Sequence, residues 1–178
     1  MAKKKLSLRE FQENLVQRLT SARAGQAARA LLGVQAGRDY WLLDLADSGE
    51  IVPLPSLTTV PLTKPWFCGI ANIRGSLYSV VDFSAFQGGE TTPQNADSRL
   101  LIVGSLPDKV ELDPFTSALL VNRTLGLRNI DQMEARAAEA DPRPWVGEQY
   151  VDIQGNVWKR LNLRKLLGQP DFLEIGLA

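Results

Sequence analysis

The chain has 178 residues, of which 44% are hydrophobic and 22% are charged, so it is long enough to fold as one ordinary domain around a core. Its 20 basic and 20 acidic residues cancel, which gives no support to a nucleic-acid-binding function, because such proteins normally carry a basic excess. The absence of histidine excludes Ser-His-Asp and Cys-His catalysis. The single cysteine, Cys68, excludes an internal disulfide and is typical of a reducing compartment.

Residues 1–25 are predicted to form a basic tail followed by an amphipathic helix. Lys3-Lys4-Lys5 is typical of a solvated tail, and Ser7-Leu-Arg-Glu10 is a capping box that predicts a helix start. Apolar residues then recur at three- and four-residue steps up to about Arg23, in a stripe made of Leu8, Phe11, Leu15, Leu19 and Ala22. Such a stripe can pack on its own domain or dock on a partner, and the sequence leaves both alternatives open.

No segment of the chain has the composition of a membrane span or of a signal peptide. No run approaches the roughly 18 apolar residues that a span requires. Charged residues interrupt the N-terminal segment where a signal peptide needs an apolar core. We therefore expect a soluble, cytoplasmic protein without direct membrane insertion.

From Ala30 onward, short strands separated by turns replace the helical pattern. Closely spaced prolines between Pro53 and Pro65 exclude a helix or a central strand there. Helices are expected at 130–140 and at 163–167, the latter capped by Asn162. The strands are expected at residues 30–35, 40–45, 50–52, 69–83 (a hairpin), 99–103, 117–121, 150–154 and 157–161, with turns at 37–38 and 155–156. This pattern predicts an all-β barrel or sandwich with helices mainly at the ends.

The hairpin over 69–83 brings polar residues into an apolar region. It is predicted as two strands joined by a two-residue Gly75-Ser76 turn, the short loop that tight hairpins favour. Asn72, Arg74 and Asp82 interrupt its apolar run. Arg74 is either a solvent-exposed turn residue or a guanidinium held by a carboxylate, for which Glu50 is the candidate.

The sequence contains no specific pattern of catalytic residues. Asp44, Asp47 and Glu50 could form paired carboxylates, but acids near a turn are usually solvated. Gly88-Gly89 is not followed by the lysine that a phosphate-binding loop needs. Cys68 has no nearby histidine to activate it and is predicted to be a small buried hydrophobe. We therefore expect no enzyme activity, no cofactor and no metal site.

The order of these segments resembles the CheW domain, the coupling protein of bacterial chemosensory arrays. That family shows a hairpin leading to a Glu-Ile pair, a proline-containing stretch, a Gly-x-x-Asn-Leu-Arg-Gly turn and a Val-x-Asp strand. The matching residues here are Glu50-Ile51, Pro53 to Pro65, Gly69 with Asn72-Ile73-Arg74-Gly75, and Val80-Val81-Asp82-Phe83. Asn122, in the segment 121–126, stands where the family usually has an acid. The resemblance covers about residues 30–168.

The resemblance implies a mainly β fold of two packed SH3-like five-stranded barrels over residues 26–170, with a C-terminal tail at 171–178. It implies an adaptor without catalytic activity. The family binds the regulatory domain of a CheA-type histidine kinase and the cytoplasmic tip of a methyl-accepting chemoreceptor, which recruits it to membrane-associated arrays. The coupling residues implied for this chain are Glu50, Ile51, Asn72, Ile73, Arg74 and Gly75.

Two finer interpretations follow from the same sequence. The Ile at position 73 and the N-terminal extension resemble the branch of the family that serves type IV pili and twitching motility (PilI-like). The competing hypothesis is a small β-barrel that binds nucleic acid, which requires a basic groove with exposed aromatic residues. The balanced charge argues against this alternative.

Overall fold

The computed structural model describes residues 30–45, 47, 49–103, 116–137 and 141–177. The helix predicted over 7–23 and the basic tail before it lie outside the described residues. Within them there are three short α-helices and one 3₁₀ turn, and no helix is long and apolar enough to cross a membrane. The strands are β1 Ala30–Ala36, β2 Asp39–Leu43, β3 Ile51–Pro53, β4 Leu57–Thr58, β5 Phe67–Ile73, β6 Ser76–Asp82, β7 Arg99–Val103, β8 Thr116–Val121, β9 Arg123–Asn129, β10 Glu134–Arg136, β11 Val146–Val151 and β12 Val157–Leu161. The helices are α1 Phe83–Phe86, α2 Leu163–Leu167 and α3 Pro170–Leu173.

The strands form two sheets, which confirms the mainly β fold. Sheet 1 has the order β10-β11-β12-β2-β1-β9, and sheet 2 has the order β3-β7-β8-β6-β5-β4. Each described sheet has six strands where five were expected. Very short strands of two or three residues lie at the edges, β10 in sheet 1 and β3 and β4 in sheet 2.

The central strands are apolar on both faces because both faces are buried. Along β8, Leu119 and Val121 pack in a core that contains residues of both sheets, whereas Ala118 and Leu120 pack in a second cluster on the opposite face. Successive side chains of a strand point to opposite faces, so a strand that is covered twice needs a continuous apolar run. Sheet 1 is likewise covered on its other face, where Trp158 packs with Leu31 and Leu42.

The helix predicted over 130–140 is wrong. A 3₁₀ turn, Ile130–Gln132, is followed by β10, which pairs antiparallel with β11. The alanine and glutamate content favours a helix locally, but the pairing of Ala135 with Tyr150 in sheet 1 overrides that weak preference. Residues 138–140 lie outside the described residues.

The turn between β11 and β12 is longer than predicted. The expected strand at 150–154 ends at Val151, and residues 152–156 form the turn. The Asp152 carboxylate accepts hydrogen bonds from the backbone N–H groups of Gln154 and Asn156 and from the indole N–H of Trp158, each at 2.9 Å. These bonds hold the turn so that Ile153, which is 95% exposed, lies at its tip.

The helix predicted over 163–167 is confirmed, with the Asn162 side chain accepting from the N–H of Lys165 at 3.0 Å. Beyond Gly168 the chain forms α3, which the sequence analysis missed, with Pro170 at its first turn. Phe172 of this helix is buried in the core between the sheets. The division into segments 1–25, 26–170 and 171–178 stays a prediction.

The Asp82 side chain forms hydrogen bonds to the segment that follows β6, from Ser84 to Thr92. Its buried carboxylate caps α1 through the N–H groups of Ser84 and Ala85 and accepts from the backbone N–H of Thr92 at 2.7 Å and its hydroxyl at 2.8 Å. A carboxylate removed from water requires such donors. The polar run after α1 is therefore anchored at the end of the β5–β6 hairpin.

Gly69 of β5 lies so close to the backbone of Thr58 in β4 that a side chain there would clash. Its φ is 123°, and an added Cβ would lie 2.2 Å from the carbonyl oxygen of Thr58. We expect Gly69→Ala to lower the free energy of unfolding by roughly 2–4 kcal/mol, measured by urea denaturation. Gly155→Ala is the matched control, because Gly155 has a φ of 83° but open space around it, and should cost about 1 kcal/mol. Equal losses in the two variants would contradict the close approach at Gly69.

Candidate functional site

The turn between β5 and β6 presents Arg74 at its outermost point. Ile73 pairs with Ser76, so the two turn residues are Arg74 and Gly75 and the predicted Gly75-Ser76 turn is wrong by one position. Both turn residues have positive φ, 51° and 87°, as a type I′ hairpin turn requires. The Asn72 side-chain oxygen accepts from the N–H of Gly75 at 2.9 Å and braces this conformation.

The topology of sheet 2 brings Glu50 to the same end of the molecule. β6 and β8 are parallel and both begin at this end; β7 is antiparallel to β8 and ends there. β3 is antiparallel to β7 and therefore begins there. The hydrogen bonding between β3 and β7 continues to Glu50, the residue just before β3, whose carbonyl oxygen accepts from the N–H of Ile102 at 2.8 Å. Glu50 and Arg74 meet although β7 and β8 lie between β3 and β6 in the sheet order.

Glu50 and Arg74 form a two-pronged ion pair. Nη1 of Arg74 donates to Oε2 of Glu50 at 2.8 Å, and Nη2 donates to Oε1 at 2.5 Å. This is the planar fork geometry in which a guanidinium binds a carboxylate most specifically. The Arg74 side chain is 75% exposed and that of Glu50 is 44% exposed, so solvent screens the pair and its contribution to stability is about 1 kcal/mol or less.

The other predicted site residues surround this pair with different degrees of exposure. Asn72 and Gly75 are exposed in the turn, and Ile73 is half-buried against the outer core of sheet 2. Ile51 is 36% exposed beside Glu50, and Leu77, which was not predicted, is 62% exposed at the start of β6. The structure thus places a fixed guanidinium–carboxylate fork close to apolar side chains on strands of one sheet.

The three candidate carboxylates, Asp44, Asp47 and Glu50, are not grouped in one site. Glu50 is engaged by Arg74, and Asp44 accepts from Nη2 of Arg160 at 2.8 Å. Asp44 and Asp47 line one small pocket, of about 240 Å³, together with Arg160. Among the described residues, no group of three or more His, Cys, Asp or Glu side chains could hold a metal ion.

Cys68 has the environment of a packing residue. It is half-buried against the outer core of sheet 2. Burial, with a smaller contribution from the charge of Asp82, raises the pKa of the thiol to about 11. The thiol therefore carries almost no reactive thiolate near neutral pH.

A second charged cluster, which was not predicted from the sequence, lies at the start of β2, around Asp39. Asp39 accepts from Nη1 of Arg143 at 3.3 Å and from Nζ of Lys159 at 3.0 Å, and Asp141 accepts from Nη2 of Arg143 at 2.6 Å. Both cations also lie over the Trp41 ring, at 5.3 Å and 5.8 Å from its centroid. No local pattern could reveal this cluster, because its members come from three distant segments.

The hydrogen bonds from Arg143 lower the pKa of Asp141 to about 2, against the opposing effect of burial. Burial also raises the pKa of Asp152, but its hydrogen bonds from Trp158, Asn156 and Gln154 outweigh that effect and hold it at about 2. These groups brace turns and connect segments of sheet 1. Asp141 is a structural ion-pair partner and Asp152 is a structural hydrogen-bond acceptor, and each acid is already bound by donors.

The comparisons with known proteins agree with this fold. Residues 30–171 match the CheW-like domain, which is most of the chain. The protein therefore belongs to the CheW-like domain family.

Two known proteins are similar to this chain. It is 30% identical over 98 residues to "Protein PilI" of Pseudomonas aeruginosa, a match that covers 55% of this chain and 51% of that protein. The chain thus spans about half the length of this curated relative in the alignment. The crystal structure of the scaffolding protein TtCheW from Thermoanaerobacter tengcongensis superposes with a TM-score of 0.61 and 21% identity, covering 80% of this chain and 94% of that one.

The Asp141 ion pair predicts a specific dependence of stability on pH. Its folded-state pKa, about 2, lies below the ordinary 3.8, so the charged form stabilises the fold above about pH 4 and this contribution is lost as the pH falls toward 2. We expect the free energy of unfolding of Asp141→Asn to fall less than that of the wild type between pH 4 and pH 2. Urea denaturation at each pH measures the difference, and parallel curves for the two proteins would contradict it.

Proposed function

We propose that this protein is a non-catalytic adaptor that couples methyl-accepting chemoreceptors to a CheA-type histidine kinase on the cytoplasmic side of a receptor array. Membership of the CheW-like domain family supports this proposal. The similarity to PilI supports the further proposal that the output is twitching by type IV pili. Since the alignment spans about half of PilI, the pilus assignment depends on experiment.

The observation that carries the adaptor proposal is the exposed Glu50–Arg74 fork. Surface ion pairs contribute little to stability, so a fork held by two separate strands of one sheet is better explained by recognition than by folding. Arg74 keeps most of its surface open to a partner while Glu50 fixes its orientation. The apolar side chains of Ile51 and Leu77 beside it supply the surface that a helical partner can bury.

The charge distribution favours a protein partner over nucleic acid. Described cations are repeatedly engaged by carboxylates, in the pairs Arg38–Glu90, Arg74–Glu50, Arg143–Asp141, Lys159–Asp39 and Arg160–Asp44. Nucleic-acid binding depends on cations that are available to phosphates. The nucleic-acid alternative therefore has no observation in its favour among the described residues.

The coupling role is tested by substitution of the fork. We expect Arg74→Ala and Glu50→Ala to weaken binding of a receptor cytoplasmic tip or of the kinase regulatory domain by about tenfold or more, as loss of a central interface arginine does. Binding is measured by titration with each purified partner and by co-purification of the three components. Wild-type recruitment of both partners by both variants would contradict the assigned site.

The matched control is Arg38→Ala, which removes a more exposed ion pair, with side chains 91% and 81% exposed, and should leave binding unchanged. Thermal unfolding separates a binding defect from misfolding, because both fork variants should stay within about 1 kcal/mol of the wild-type stability. The double exchange Glu50→Arg with Arg74→Glu keeps the attraction within the pair but reverses its charges. We expect it to bind as poorly as the single variants, because the partner contacts the guanidinium at position 74 in the orientation that Glu50 gives it.

The pilus assignment is tested in the bacterium that supplies the chain. We expect an in-frame deletion to abolish directed spreading by twitching and to leave chemotactic swimming unchanged, with restoration by the wild-type gene. Arg74→Ala should fail to restore twitching although the protein accumulates normally. Loss of chemotactic swimming with normal twitching would refute the pilus branch while leaving the adaptor role intact.

A further inference from the structure

Three exposed leucines lie on the two segments that meet where the C-terminal segment crosses the chain before β5. Leu62 is 78% exposed, Leu173 is 60% exposed and Leu177 is 57% exposed. The N–H of Leu177 donates to the carbonyl of Leu62 at 2.8 Å, and the N–H of Lys64 donates to the carbonyl of Ile175 at 2.8 Å. We call Leu62, Leu173 and Leu177 the leucine patch.

The pairing of these segments places two of the leucines side by side. Thr63 is bridged to Gly176 in antiparallel fashion, so Leu62 lies opposite Leu177. The hydrogen bond between their backbones makes Leu62 and Leu177 direct neighbours across this pairing. Leu62 has a φ of 58°, a conformation unfavourable for a leucine, and its side chain remains in solvent. A leucine in an unfavourable backbone conformation whose side chain is exposed next to a second exposed leucine is typical of a contact surface.

We propose that the leucine patch is the docking site for residues 7–23 of the same chain. This inference is independent of the coupling role proposed above. The sequence of 7–23 carries one apolar stripe, whose members are Leu8, Phe11, Leu15, Leu19 and Ala22. Such a stripe requires an apolar surface to be stable, because a single helix of this length is marginal in water.

The point at which the N-terminal segment joins the described fold makes this docking reachable. Ala30 begins β1, which is antiparallel to β2, and β2 is parallel to β12. The beginning of β1 and the end of β12 therefore lie at the same end of sheet 1, about 10 Å apart across two strand spacings. Helices α2 and α3 follow directly from that end of β12, and α3 carries Leu173. The six residues 24–29 reach up to about 20 Å when extended.

Charge complementarity favours this occupant. Residues 1–29 hold seven basic and two acidic residues, whereas residues 30–178 hold 13 basic and 18 acidic residues. Two of these acids, Asp171 and Glu174, are exposed on either side of Leu173. The stretch 7–23 itself holds three basic and two acidic residues, and the rest of the positive charge lies in Lys3-Lys4-Lys5 and Arg29 on either side of it. The amphipathic stretch thus has an apolar patch to cover and is flanked by charge opposite in sign to the net charge of the rest of the chain.

Hydrogen exchange of the full-length chain tests the proposal. In the wild type, we expect the amides of residues 8–22 to exchange at least about tenfold more slowly than in the double variant Leu62→Asn, Leu177→Asn. Asparagine tolerates positive φ, so the variant keeps the fold while removing the apolar surface. The matched control is Ile153→Asn, which removes a side chain that is 95% exposed at the opposite end of sheet 1 and should leave the exchange unchanged. Equal exchange in the wild type and the double variant would overturn the proposal.

Crosslinking identifies the occupant. In a Cys68→Ala background, Leu15→Cys and Leu177→Cys treated with a short bis-maleimide should give a crosslink within one chain, seen by peptide mass spectrometry of the monomer. Crosslinks that join two chains would instead make a second copy the occupant and overturn docking within the chain. Protection of residues 8–22 that appears only with anionic lipid vesicles would also overturn it, in favour of a membrane surface.

Discussion

Burial of both faces of each sheet is the constraint on which this structure depends. The core between the sheets contains Trp41 from sheet 1 and Phe83 from the end of sheet 2, with ring centroids 5.1 Å apart. Smaller clusters cover the outer faces, around Leu120 in sheet 2 and Trp158 in sheet 1. With only three short helices among the described residues, each sheet covers its other face by curling around its own smaller cluster. That curvature brings the ends of nonadjacent strands close to one another.

The Glu50–Arg74 fork is a direct consequence of this curvature. Its two residues adjoin strands that are not neighbours in sheet 2. Glu50 accepts a backbone hydrogen bond from Ile102, and Arg74 lies in a turn that the Asn72 side chain braces. The pair is exposed, so its effect on stability is small. In the coupling role proposed above, the fork orients the guanidinium toward the partner and the neighbouring apolar side chains supply the area to be buried.

The charged clusters of the protein divide into two kinds by burial. Asp141 and Arg143 are largely withdrawn from solvent and tie distant segments of sheet 1 to the Trp41 region. The Arg38–Glu90 and Arg74–Glu50 pairs are instead exposed to solvent, so each adds little to stability. The leucine patch is a third kind of surface, apolar and exposed, at the C-terminal segment. Substitutions at the exposed pairs can therefore be made with little effect on the fold.

Much of the fold follows from local sequence, because strand pattern and turn residues act over short distances. The central apolar strands, the turn at Gly37-Arg38, the cap of α2 by Asn162 and the mainly β class were all predictable. Predictions failed where pairing with a distant strand outweighed local preference: at β10, which the composition predicts as helix, and at the β11–β12 turn, whose length depends on the Asp152 hydrogen bonds. The turn of the β5–β6 hairpin shifted by one residue because its register depends on which residues accept positive φ.

For the site, the sequence alone determined the residue types and named Glu50 as the candidate partner of Arg74. It could not decide between a solvated arginine and a held one, since a separation of 24 positions along the chain gives no distance in space. Only the tertiary structure decided that the two side chains form a fork, that the fork is exposed, and that Asp39, Asp141, Arg143 and Lys159 form a second cluster. The physical reason is that turns, caps and side-chain periodicity depend on residues close together in the sequence. Contacts between charged groups depend on how two curved sheets bring remote strand ends together.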